Sequence, residues 1–432
     1  LRFNEICPEG FIHHRFPSFE FSIPKGRKEF LHRLRSTFPE EHDAIDKFSR
    51  LLDDLKGTID SLSPADGSRR MKVVHALPHL PAFLGSLRKS VGGYSAEITD
   101  SVGLRSVIAG YSGEVGAAPA LAALFTAYAF VHYEDGAYYP IGGSGAFRDA
   151  FVDHIRDHDG ILSARSPVTS VRREGPHWAV TAGKRRYRGR TLVWNGSPGD
   201  LYLKVLEGVT IPSKLRRHWK GYIPSYGAFY LFAGIDLEPA EAGLGAATRI
   251  QWACDDVEQS VQRVLQLHMD SFILSCTSAK DPDGGHAPSG HHSIEAVLFL
   301  PDDAFARWVH QSSGRRDGEY IEFKNRLGEV LLANVQKAFP KLAGHIRVID
   351  YATPVTNQHW TWSPGGGCYG HMQCVGQMGL NRFSSDTPLP GVYLCGSSTN
   401  MGGVYPAVFS GERAAARVHR FLRKPRYRRL SR

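Results

Sequence analysis

Gly391-Val-Tyr-Leu-Cys-Gly-Ser-Ser-Thr-Asn-Met-Gly-Gly-Val-Tyr-Pro-Ala-Val-Phe-Ser-Gly411 reads as an apolar strand, a Gly/Ser turn and the start of a helix. The strand covers Val392–Cys395 and ends at Gly396. Glycines at 402 and 403 let backbone approach a ligand closely. Pro406 is tolerated in a first helical turn, where its missing N–H has no intrahelical partner anyway. Val404, Val408, Ala415, Val418 and Leu422 then give an apolar stripe at helical spacing. A strand end thus aims a helix start, with free N–H groups and a positive dipole end. Such a start suits a phosphate, or an electron-rich ring edge that gains negative charge. An ordinary βα turn would carry the same residues, and by themselves they leave the two readings even.

Outward from this block, Tyr320–Phe339 is an amphipathic helix with Leu327, Val330, Leu331 and Val335 inward. Gly227–Ile235, Arg249–Cys254, Ser271–Cys276 and Ser293–Leu300 are strand candidates in succession, which predicts an antiparallel sheet. Thr191–Asn195 is a buried-looking strand, preceded by a hairpin around Gly183-Lys184 and an alternating strand over Ile161–Val171. Phe147, Ala150, Phe151, His154 and Ile155 form one helical face after the turn Gly142-Gly143-Ser144, and Gly160 closes that helix. Further upstream, Glu134–Pro140 is a short aromatic strand. The region before it, to about Val131, is helical with breaks near Pro64 and Pro78–Pro81. Thr37-Phe38-Pro39-Glu40 has the pattern of a capping box, and Ile45, Phe48, Leu52, Leu55 and Ile59 follow at helical spacing. Phe11–Ile23 has extended, aromatic-rich character.

The whole chain has 432 residues, 42% hydrophobic and 22% charged, which excludes a disordered, collagen-like or coiled-coil protein. At about 100–200 residues per domain, two or three domains are expected. The net charge is +9. Seven Lys or Arg sit in Arg420–Arg432, a tail able to touch phosphate or an anionic membrane, although a solvated end is the simpler expectation. None of the six Cys forms a Cys-x-x-Cys pair, which reads as reduced thiols in a cytoplasmic protein, with peripheral membrane association left open. Ala118–Val131 is too short to span a bilayer and reads as buried helix core, with a lipid tunnel as the other use. His286, His291 and His292 lie in a Gly/Pro/Asp-rich loop without a regular element to orient them, so no metal site is expected. His13-His14 reads as a polar surface or strand pair. Gly365-Gly366-Gly367 is open to either a ligand contact or a turn. The basic residues lack interleaved aromatics of a nucleic-acid module.

The sequence resembles the phytoene-desaturase-related flavoproteins, especially the branch of retinol saturase and carotenoid isomerase. Four stretches carry the resemblance: Glu134-Asp-Gly-Ala-Tyr-Tyr-Pro-Ile-Gly-Gly-Ser144; Ser166-Pro-Val-Thr-Ser-Val171; Ala352-Thr-Pro-Val-Thr356 with Pro364-Gly-Gly-Gly-Cys-Tyr-Gly370; and the 391–411 block. The resemblance implies FAD as cofactor and a role for each matching position. Val168 would meet the adenine. Gly396 and Ser397 would lie near the ribityl chain and pyrophosphate, although many relatives carry an acid where Ser397 stands. Gly402, Gly403, Val404 and Tyr405 would form the helix start facing the flavin pyrimidine edge. No catalytic side chain is implied, because the flavin carries the hydride chemistry.

One departure matters. Such flavoproteins begin with a strand, a Gly-x-Gly-x-x-Gly turn and a helix. Here Gly143-Ser-Gly145 and Gly243-Leu-Gly245 both lack the third glycine. With Leu1 as its first residue, the chain reads as N-terminally truncated, inactive without the absent part, colourless and prone to aggregate. The expected fold is α/β: a discontinuous FAD-binding, Rossmann-like domain lacking its first βαβ unit, beside an α+β substrate domain with an antiparallel sheet. The expected division is 1–135 and 206–342 for the substrate domain, and 136–205 and 343–432 for the FAD domain. The expected activity is desaturation, saturation or isomerisation of carbon–carbon bonds in an apolar polyene, isoprenoid or lipid-like small molecule, with no obligate protein partner. The rivals are an amine-oxidase-type flavoenzyme, with Tyr369 and Tyr405 as an aromatic cage, and a non-enzymatic remnant.

Overall fold

The computed structural model of the chain describes residues 1–62, 85–86, 88–111, 120–301, 303–378, 381–399 and 401–424. The breaks expected near Pro64 and Pro78–Pro81, and the tail from 425, lie outside the described residues. The chain opens with strands β1 (Phe3–Ile6), β2 (Ile12–Arg15) and β3 (Glu20–Ile23). Helices α1 (Arg27–Thr37), α2 (His42–Leu62), α3 (Val91–Ile98), α4 (Val102–Gly110) and α5 (Ala123–Tyr133) follow. Then come β4 (Ala137–Pro140), α6 (Gly143–Asp157), β5 (Val168–Glu174), β6 (His177–Ala182), β7 (Arg185–Gly189), β8 (Leu192–Trp194) and β9 (Leu206–Glu207). The middle holds α7 (Ser213–Lys220), β10 (Gly227–Ile235), β11 (Thr248–Gln251), α8 (Val257–Leu265), β12 (Phe272–Cys276) and β13 (His292–Leu300). The last elements are α9 (Gly318–Ala338), β14 (Ile346–Ala352), α10 (Pro354–Thr361), β15 (Val392–Leu394) and α11 (Val404–Leu422).

The expected antiparallel strands form the centre of a seven-stranded sheet in the order β14-β10-β13-β12-β11-β2-β3. Period-two alternation gives the sheet its two faces. Phe229, Leu231, Ile294, Leu298, Phe272 and Leu274 enter one core with Leu327, Leu331 and Val335 of α9. The opposite face packs Ile12, Phe21, Ile250 and Trp252 against α1, α2, α4 and α5. Ala123–Tyr133 is thus mainly core: Leu124, Phe125, Ala127 and Phe130 are buried. Residues 118–119 of that apolar stretch lie outside the described residues.

A second unit surrounds β8 and β15, which pair in parallel with Val392 opposite Leu192. Val392 and Leu394 pack with Val171 and Trp178 of the four-stranded sheet β7-β6-β5-β9. β14 falls in the stretch expected to belong to the FAD domain. It hydrogen-bonds along β10, Tyr230 opposite Ala352 and Phe232 opposite Asp350, as an edge strand of the large sheet.

Several local expectations are corrected. Thr37 is the last residue of α1, not a cap of the next helix; the Phe38 N–H bonds Leu34 O, and α2 begins only at His42. Pro39 cannot donate to a helix interior, which separates the two. Gly160 does close α6, its N–H meeting Ile155 O at 2.8 Å. On the helical face of α6, Phe151 and Ile155 are exposed, and so is Ile161, in a stretch expected as strand that has no strand before Val168. In α11 the buried residues are Pro406, Ser410, Ala414 and Phe421, whereas Val404 and Val408 face out. Val330 is exposed on α9. Among the described residues no helix is long and apolar enough to cross a membrane.

Candidate functional site

β15 ends where the sequence places the turn. Gly396 has φ +87°, and a Cβ there would run into the Asn195 side chain, so the position needs glycine. Its N–H donates to Ser410 Oγ at 2.6 Å, which ties the turn to α11. Thr399 Oγ1 donates to Gly396 O at 3.0 Å. Ser397 O accepts from Arg382 Nη2 at 2.6 Å.

Gly403 is the N-cap of α11, with φ +111° and no side-chain cap on the helix. The N–H groups that open such a helix have no intrahelical acceptor, and the dipole end is positive. Val404 and Tyr405 are exposed beside it, 64% and 54% respectively. The structure therefore brings Gly396, Ser397, Gly402, Gly403, Val404 and Tyr405 into one strand–turn–helix unit. Val168 stands apart at the head of β5, packed against the cluster that holds Val392 and Leu394. An uncapped helix start with exposed flanks fits the ring end of a flavin. The Gly-x-Gly-x-x-Gly spacing occurs at Gly365, Gly367 and Gly370, but that segment follows a helix and a short turn rather than leading from a strand into a helix, so it is not the diphosphate turn of such a unit.

The glycines of 365–370 are consumed by packing. A Cβ on Gly366 would strike Pro354 O, one on Gly367 would lie 2.6 Å from Ser225 O, and one on Gly370 would lie 2.5 Å from Ser397 Oγ. The segment runs beside 224–227, with Tyr369 N donating to Ser225 Oγ at 2.8 Å and Cys368 N to Tyr226 O at 3.1 Å. Tyr369 is thereby set between Gly402 and the large sheet, its ring 6.3 Å from Phe299. Phe299, Val297 and Glu295 alternate along β13 on one face, and Tyr230 of β10 lies opposite Val297. Burial raises the Glu295 carboxyl, with Lys280 opposing. Burial likewise raises the Tyr230 phenol, which lies 3.6 Å from Cys368 Sγ.

At the start of α6, Asp281 is 1% exposed and accepts from Gly142 N at 2.7 Å and lies 2.9 Å from His286 Nε2. His286 is thus a hydrogen-bond partner of Asp281, and among the described residues no metal-ligating group of three exists. His14 is fully buried rather than a surface group. Its Nδ1 accepts from Trp252 Nε1 at 3.1 Å, and burial pushes its pKa down to about 3. Sequence reasoning misses Arg382, Glu295 and His371. Each has an unremarkable local context, and its surroundings come from distant segments.

The family described as flavin containing amine oxidoreductase matches residues 8–419, and the chain belongs to it. All-trans-retinol 13,14-reductase of Macaca fascicularis is 23% identical over 413 residues, covering 90% of this chain and 68% of that protein. Prolycopene isomerase of Arabidopsis thaliana is 24% identical over 295 residues, covering 66% and 46%. A Danio rerio protein named as an inactive all-trans-retinol 13,14-reductase is 21% identical, covering 92% and 69%. Among solved structures, cyclohexylamine oxidase of Brevibacterium oxydans superposes with a TM-score of 0.60 at 17% identity, covering 98% and 83%. Wild-type putrescine oxidase bound to putrescine gives 0.60 at 16%, covering 97% and 83%. These structures share the fold.

Proposed function

We propose that this member of the flavin containing amine oxidoreductase family uses FAD to act on carbon–carbon bonds of an apolar, polyene-like or isoprenoid-like substrate. The observation that carries the reading is the run Val297, Phe299 and Tyr369, an apolar wall leading from the large sheet to Gly402 at the helix start. The names of the retinol and prolycopene relatives support it.

Bound FAD would supply hydride transfer. The N–H groups opening α11 would stabilise negative charge on its ring edge. Gly396 and Ser397 would approach the chain between ring and diphosphate, and Val168 the adenine. Phe299 and Tyr369 would exclude water from the ring. An unpaired charged substrate would be costly to bury against that wall. Glu295, raised by burial, would hold its proton to a higher pH than an ordinary carboxyl.

The test is a spectral titration with FAD, followed by anaerobic assays with polyenes or isoprenoids and, separately, with primary amines and polyamines. A perturbed flavin spectrum and turnover of apolar alkenes are expected. Turnover of amines with none of alkenes would replace this reading with amine oxidation.

A further inference from the structure

Arg382 is 8% exposed. Its Nη1 donates to Gln377 O at 3.2 Å and its Nη2 to Ser397 O at 2.6 Å. Its Nε has no partner among the described residues. Burial lowers the guanidinium to about 10; only Tyr222 and Cys374 oppose that, and neither is a carboxylate. Two carbonyl dipoles solvate the cation without neutralising it. Leaving a buried charge without a counter-charge is costly.

The same side chain lines a cavity of about 390 Å3 under α11. Arg413 reaches this cavity from α11, lies over the Phe409 ring, and has no carboxylate partner among the described residues. Leu124, Met378, Phe383 and Met401 form the apolar part of the wall, and among the described residues no Asp or Glu lines it. Of its hydroxyls, Ser385, Thr399 and Ser410 spend their protons on the carbonyls of Leu394, Gly396 and Ala407. Ser384 Oγ instead accepts the Asp386 N–H at 3.1 Å, which leaves its own proton uncommitted. Arg382, Arg413 and Ser384 are thus the donor-bearing residues of its lining, with Arg382 Nε buried and unpartnered among the described residues.

We propose that this cavity binds a phosphate-type anion, with Arg382 as its buried anchor and Arg413 as its outer clamp. Guanidinium pairs with phosphate oxygens through charge-assisted bonds, and the anion supplies the counter-charge that Arg382 lacks. Because Arg382 also holds Ser397 O, an occupied cavity stiffens the turn after β15. The proposal stands on the cavity's own donors and does not need the flavin reading.

The experiment is isothermal titration of the full chain with inorganic phosphate and with pyrophosphate, in a phosphate-free buffer, with sodium chloride at matched ionic strength as control. Saturable binding of one equivalent is expected, with none from chloride. Arg413→Gln is an exposed change that keeps the fold, and it should weaken phosphate by about tenfold, the loss of one charge-assisted contact. Arg382→Gln should abolish binding, and Arg382→Lys should restore part of it. A repeat with FAD present identifies the source. Competition means the anion is a dinucleotide's own phosphate; simultaneous binding means a separate phosphate. Either supports the site. Absence of saturable phosphate binding, or an affinity unchanged in Arg413→Gln, overturns it.

Discussion

Gly402 lies against Tyr369 so closely that a Cβ at 402 would stand 2.7 Å from the tyrosine Cβ. The glycine read as an opening for a ligand is therefore occupied by a side chain of the 364–370 segment. Gly403 is the open one: a Cβ there would meet nothing nearer than the Pro406 ring at 3.6 Å, and its constraint is φ +111°.

The two glycines should fail differently. Gly402→Ala must displace Tyr369 and is expected to cost about 1–3 kcal/mol by overpacking. Gly403→Val adds backbone strain of roughly 1–3 kcal/mol and also places bulk at the uncapped helix start. It should abolish or greatly weaken FAD retention while the fold survives. Chemical denaturation and flavin absorbance separate the outcomes; an unchanged flavin titration in Gly403→Val would count against the helix start as the ring site.

Asp281 joins the start of α6 to the segment before β13. Burial opposes its ionisation, but the Gly142 N–H and His286 together hold the carboxyl below the ordinary range. A depressed carboxyl contributes stability that is present above its unfolded pKa and lost as pH falls through the folded one. Asp281→Asn should cost about 1–3 kcal/mol at pH 7 and flatten the acid limb of a urea-stability profile. An unaltered limb would remove Asp281 from the clasp.

His14 and His371 are both buried and pushed down to about 3, chiefly by burial. Unfolding lets each take up a proton below its ordinary value of 6.5. Stability should therefore fall as pH drops below that value, by about 1.4 kcal/mol per pH unit for each histidine. His371 touches Trp219, Tyr222 and Phe383, and neither of its ring nitrogens has a partner among the described residues. His371→Leu should reduce the acid slope by one proton, read from denaturation midpoints between pH 4 and pH 7, a range set by those shifts. A slope equal to wild type would place His371 in contact with water.

Glu295 runs the opposite way. A carboxyl raised by burial binds its proton more tightly in the fold, so stability declines as pH rises from the ordinary value of 4.5 through the raised one. Glu295→Gln should be more stable than wild type at pH 8, by about 1 kcal/mol, and no more stable at pH 4. Lower stability at both values would show that an ion pair with Lys280 dominates instead.

Much of this architecture was legible locally. The strand at 392, the turn at 396 and the helix from 404 follow from glycine and proline backbone preferences, and the central strands of the large sheet from alternation of apolar residues. Those are near-neighbour properties, set within a few residues. Which surface each element buries was decided elsewhere. Among the described residues nothing covers Phe151 and Ile155 of α6, which stay exposed, while His14 is enclosed because Trp252 and Phe16 close over it. Which sheet β14 joins is decided by its hydrogen bonds to β10, more than a hundred residues away in the chain. Arg382 meets Ser397 across fifteen residues of chain, and Tyr369 meets Gly402 across a longer gap. Backbone sterics act along the chain, whereas burial, charge compensation and close packing depend on what folding brings alongside, and only the tertiary structure supplies those neighbours.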